Sequence, residues 1–107
     1  MNNMRQLFSQ AQKLQAQVAK AQAELETQEV TGTSGAGAVS VTITLKGAPK
    51  AISINKEIVN PEETDILEDL ILAALGDAKQ KADSAFEEGM KRATNGMDIS
   101  KLTGGNF

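Results

Sequence analysis

Apolar residues fall at Met4, Leu7, Ala11, Leu14, Val18, Ala21 and Leu25, with spacings that alternate between three and four. That is a heptad seam on a helix running from about Met4 to Gln28. Gln, Ala, Lys and Glu fill most other positions, with no Gly or Pro, and these are good helix formers. Such a helix is roughly 37 Å long, and its single apolar face needs a partner helix.

The pattern then changes period. Val39, Val41, Ile43 and Leu45 alternate with Ser40, Thr42, Thr44 and Lys46, which predicts a strand with one buried face. Lys46-Gly47-Ala48-Pro49 supplies a turn, and Ile52 and Ile54 mark a return strand. Val30 to Ser34 forms a shorter strand ahead of these, closed by Gly35-Ala36-Gly37. The result is a three-stranded antiparallel meander.

A second helix opens at Asn60-Pro61, with Asn60 as N-cap and Glu63 at the position of a capping-box acid. Ile66, Leu67, Leu70, Ile71, Ala74, Leu75 and Ala78 make a wide stripe that covers the sheet. Beyond Ala78 the stripe narrows to small residues, Ala82, Ala85 and Gly89 among them, which let another backbone come close. The helix should stop at Asn95-Gly96, leaving a loose tail from Met97 to Phe107. Helices of roughly 37 and 50 Å do not fit inside one ball of this chain length. The expected protomer is α+β, with a hairpin-like helical arm on a small base, and its leftover apolar surface predicts a homodimer.

Composition removes most chemistry. The 107 residues include no Cys, His, Trp or Tyr. Disulfides, thiolate or imidazole metal sites and Ser-His-Asp catalysis are excluded, so the chain is expected not to be an enzyme and to need no metal or cofactor. Gly32 and Gly37 have the spacing of a phosphate loop, but Ala38 and Val39 stand where Lys and a hydroxyl residue are required. No apolar run approaches a membrane span, and the N-terminus lacks the apolar stretch of a secretion signal. The expectation is a cytoplasmic protein without membrane contact.

Charge restores one possibility. Net charge is −3, yet all fourteen acids lie at or after Glu24. The first 23 residues hold Arg5, Lys13 and Lys20 within an arc of about 80°, read as lying beside the seam on its outward side. Lys79, Lys81, Lys91 and Arg92 sit on the distal half of the second helix, opposed by Asp83, Glu87 and Glu88. Glu57, Glu62, Glu63, Asp65, Glu68, Asp69 and Asp77 form an acidic region near that helix's start. The molecule is polarised into an acidic base and mildly basic arms. From charge alone, a solvated face and a DNA-binding face both remain open.

Glu29-Val30-Thr31-Gly32-Thr33-Ser34-Gly35-Ala36-Gly37 with Val39 to Thr42, and Leu67 to Ala74 with Asp77-Ala78, resemble the YbaB/EbfC family of bacterial nucleoid-associated proteins. The Gln-rich first helix matches as well. The resemblance covers about Leu7 to Gly96 and implies an α-β-β-β-α protomer that forms a tweezer-like homodimer with projecting helices; the single domain is set at residues 1–96, and the residues themselves give the flexible tail over 97–107. It implies binding of double-stranded DNA at the nucleoid, in nucleoid organisation or gene regulation, in a setting near replication and recombination proteins. Lys20 matches a commonly basic position, whereas Ser9 and Gln17 stand where relatives can carry Lys. The candidate DNA contacts are Arg5, Lys13, Lys20, Lys91 and Arg92. The alternative is a dimeric protein-binding adaptor with weak or no DNA binding.

Overall fold

A computed structural model of the chain describes residues 2–94. The order is α1 (Asn2–Glu26), β1 (Glu29–Ser34), β2 (Val39–Thr44), β3 (Pro49–Ile54) and α2 (Thr64–Ala93). The three strands form one antiparallel sheet in the order β1-β2-β3. The α-β-β-β-α protomer is therefore the architecture expected from the chain. The helix stop at Asn95-Gly96 and the tail over 97–107 lie outside the described residues.

The first hairpin turns through Gly35, Ala36 and Gly37, all with positive φ, where Ala36 at 56° is the one residue carrying a Cβ. Pro49 opens β3 at the sheet's edge, where the missing N–H costs no ladder bond. A register shift between Thr42 and Ile43 leaves Lys50 as the extra residue of a bulge. Asn60 caps as expected, its side chain accepting from the Glu62 N–H at 3.0 Å, but it caps a short 3-10 turn over Pro61–Glu63. α2 then starts at Thr64 with no side-chain cap, so no capping box forms at its own first turn.

The core corrects the wide-stripe reading of α2. The residues buried under that helix are the small ones, Ala74, Ala78 and Ala82, together with Val39, Val41, Ile43 and Leu45. Leu67, Leu70 and Ile71 are half-buried, whereas Ile66, Leu72 and Leu75 stay largely exposed. The reason is Gly32. A Cβ on Gly32 would collide with the Ala74 carbonyl oxygen and the Ala78 backbone. The helix axis therefore lies close over β1, and only alanines fit the gap. α2 packs on β1 and β2. Ile52 on β3 is paired with Val41 and shares its face, yet it stays 58% exposed because the helix does not reach it.

Two charged side chains one turn apart fasten this contact. The Thr33 N–H donates to Asp77 Oδ2 at 2.9 Å, and Lys81 Nζ donates to the Thr31 carbonyl at 3.0 Å. Lys81 and Asp77 also form an ion pair at 3.1 Å. Thr31 and Thr33 point these backbone groups away from β2, at the sheet's open edge. Asp77 and Lys81, grouped by sequence with solvated acids and basic arms, are thus structural. The Ser34 hydroxyl donates to the Leu70 carbonyl further along.

These contacts have a direction. Thr31 meets Lys81, Thr33 meets Asp77, and Ser34 meets Leu70, so β1 runs antiparallel to α2. Upstream, Leu25 lies against Gly89, where even a Cβ would strike its side chain. α1 continues the same antiparallel course. Past Gly89 only a turn of described α2 remains, whereas roughly 35 Å of α1 precedes Leu25. Val18, Ala21 and Leu25 reach the core, and the N-terminal part of α1 projects alone. Met4 is 78% exposed and Leu7 64%. The arm is therefore an overhanging single helix rather than the expected helical hairpin. The protomer measures 75 × 23 × 17 Å with a radius of gyration of 19.8 Å, against about 13 Å for a compact chain of this size.

Gly32→Ala should destabilise the fold by about 3 kcal/mol, because its Cβ meets helix backbone rather than a yielding side chain. Urea unfolding of both proteins checks this. Asp77→Asn tests the edge clamp through pH. The Thr33 N–H, and then Lys81, hold the Asp77 carboxyl below its ordinary range. A carboxyl depressed by folding stabilises above its unfolded pKa, and that contribution disappears as pH falls through the folded value. Asp77→Asn should therefore be less stable than wild type at pH 7. The gap between their urea midpoints should close as pH is lowered below about 4.

Candidate nucleic-acid interface

Arg5, Lys13 and Lys20 all lie on α1 and all are exposed. They span 15 residues, or roughly 22 Å of helix. None of the three makes an ion pair among the described residues, whereas Lys79 pairs with Asp83 at 2.7 Å and Lys91 with Glu87 at 3.6 Å. Their position relative to the seam needs correction. At 100° per residue their arc is centred roughly 160° from the seam, across the helix rather than beside it. The seam's lower end faces α2, so the cations face outward along the whole arm.

The helix dipole separates the two groups of candidates. Cations are favoured at a helix C-terminus and anions at the N-terminus. α2 obeys this, with Asp65 in its first turn and Lys91 and Arg92 in its last. Those two cations therefore have a local reason to be where they are. α1 runs against the rule. Its first turn has no acid and contains Arg5, and its last turn has no base and contains Glu24 and Glu26. Helix stability does not account for the charge pattern of α1.

The structure brings the five cations into one region without merging them. Leu25 is level with Gly89, so Lys20 lies near the level of the α2 terminus. Lys91 and Arg92 are exposed there, at the root of the overhang, while Lys13 and Arg5 continue outward. Exposed glutamines surround them, with Gln6, Gln10, Gln12, Gln15 and Gln17 on the projecting part. The acids Glu57, Glu62, Glu63, Glu68 and Asp69 lie at the other end of the molecule and are exposed. An arm with cations, amides and no carboxylate before Glu24 can neutralise and hydrogen-bond a polyanion.

Among the described residues no cluster of three or more Asp or Glu is arranged to hold a metal ion. No described helix is long and apolar enough to cross a membrane. Sequence reasoning passed over Phe8, which lies on the arm 67% exposed. The same angular reading that groups the cations would have found it, because Phe8 falls outside the heptad spacing.

A search of family models matches residues 1–97 to the YbaB/EbfC DNA-binding family. A nucleoid-associated protein of Rhodospirillum rubrum is 42% identical over 99 residues, covering 92% of each chain. One from Paramagnetospirillum magneticum is 43% identical, again over 92% of each. The crystal structure of an uncharacterized protein from Helicobacter pylori is similar in fold, with a TM-score of 0.51 at 20% identity, over 81% of this chain and 89% of that one. With the family's strand-and-glycine motif, its second-helix motif and its architecture all in place, this chain belongs to the YbaB/EbfC DNA-binding family.

Proposed function

We propose that a homodimer of this chain binds double-stranded DNA through its arms, at the nucleoid in the cytoplasm, in nucleoid organisation or gene regulation. Arg5, Lys13 and Lys20 of both protomers contact phosphates, with Lys91 and Arg92 adding charge at the root of each arm. The observation that carries this reading is the outward cation stripe, unpaired among the described residues, on a helix with no acid before Glu24 and with charges that oppose its own dipole. Relatives named as nucleoid-associated proteins support the same setting.

The homodimer follows from apolar surface left uncovered by the protomer. Met4 and Leu7 continue the seam beyond the reach of α2, and Ile52, Val59, Leu72 and Leu75 are exposed around the base. A second copy is the partner such self-complementary surface calls for. Phosphate contacts act without reading sequence, so binding is largely sequence-tolerant.

A DNA titration at several salt concentrations tests this. Six engaged helix-1 cations per dimer give a log–log salt slope of roughly −5. Replacing Arg5, Lys13 and Lys20 by Gln keeps helix propensity. The triple variant should bind unrelated sequences more weakly and with a flatter slope. Wild-type affinity in that variant would remove α1 as the phosphate-contacting element. Absence of wild-type binding even at low salt would favour a protein-binding adaptor.

A further inference from the structure

Phe8 is the one aromatic residue on the arm, and it lies off the apolar seam. Taking 100° per residue, it sits roughly 90° from the seam centre and roughly 60° from Arg5. Its neighbours on the helix are Met4, Arg5, Ser9 and Gln12. The ring is 67% exposed and lies beyond the reach of α2. Phe8 lies on the flank between the Met4, Leu7, Ala11 and Leu14 seam and Arg5.

An exposed aromatic ring contributes nothing to a solvated helix and slightly lowers helix propensity. Its neighbours define what covers it. Arg5, Ser9 and Gln12 all carry hydrogen-bond donors, and no carboxylate occurs on α1 before Glu24. The complementary surface is anionic and rich in acceptors, with apolar area between the charges. A DNA groove has that composition, since phosphates flank sugar and base edges.

We infer that Phe8 is the arm's apolar contact with DNA, entering a groove while Arg5 holds an adjacent phosphate. The inference rests on the DNA-binding reading proposed above and adds its non-electrostatic part. Phosphate contacts set the salt slope, whereas an apolar contact changes affinity equally at all salt concentrations. Apolar side chains used this way by other DNA-binding proteins include Phe, Leu and Met, so Leu is a conservative replacement.

The test compares wild type, Phe8→Ala, Phe8→Leu and Leu7→Ala by DNA titration at three salt concentrations, with sedimentation of each protein alone. Phe8→Ala should weaken binding about tenfold, the order expected for removing one partly buried apolar side chain from a contact. Its salt slope and its sedimentation should match wild type, and Phe8→Leu should recover much of the affinity. Wild-type affinity in Phe8→Ala would overturn the inference while leaving the cation stripe intact. So would a change in sedimentation for Phe8→Ala like that of Leu7→Ala, which would make Phe8 a contact between copies. Failure of wild type to bind DNA at any salt concentration would instead overturn the DNA-binding reading on which the inference stands.

Discussion

Gly32 presents no side chain toward α2, and the helix comes down onto its bare backbone. That approach sets the height of the helix over the sheet. It favours alanine at positions 74 and 78, which lie directly over Gly32, and the equally buried Ala82 continues the same row. It also brings α2 within reach of the open edge of β1. There Asp77 and Lys81 take up a backbone N–H and a carbonyl that would otherwise form a free strand edge. An edge with unpaired ladder groups is a template for unwanted pairing, so the clamp protects as well as fastens.

The same contact acts at a distance. Because β1 is locked antiparallel to α2, the helix that leads into β1 is directed along α2 and past its end. The Leu25–Gly89 approach continues the alignment that Gly32 begins. A bulkier residue at either glycine would lift one element from the other and re-aim the arm. Positioning of Arg5, Lys13 and Lys20 is therefore a consequence of packing some tens of Å away. The base needs no chemistry of its own for this, and its exposed acids lie at the end of the molecule away from the arm.

Much of this was legible in the chain. Period-2 alternation over Val39 to Leu45 fixed the central strand and its buried face, and Asn60-Pro61 located the start of the second helical region. Other features depended on contacts between elements that no local pattern encodes. The width of the α2 stripe suggested large residues against the sheet, but Gly32 on a different element decides that alanines fill that place. Asp77 read as one more acid on a solvated face, since its partner Thr33 is 44 residues away. The cation arc was visible, and only its placement across from the seam needed the full angular comparison. The hairpin-like arm failed for a simple reason: helix lengths do not reveal where two helices begin to overlap.

The β1–α2 contact leaves α1 overhanging, and a distance measurement addresses this directly. The chain has no Cys, so spin labels can be placed at Ser9→Cys and Glu68→Cys, both exposed positions. Labelled protein diluted into excess unlabelled protein restricts pulsed dipolar spectroscopy to distances within one chain. Helix rise from Ser9 to Leu25 and from Gly89 to Glu68 gives a separation of ~55 Å. A distribution centred there supports the overhanging arm. A distribution below about 30 Å would place α1 back alongside α2 and rule out the overhang.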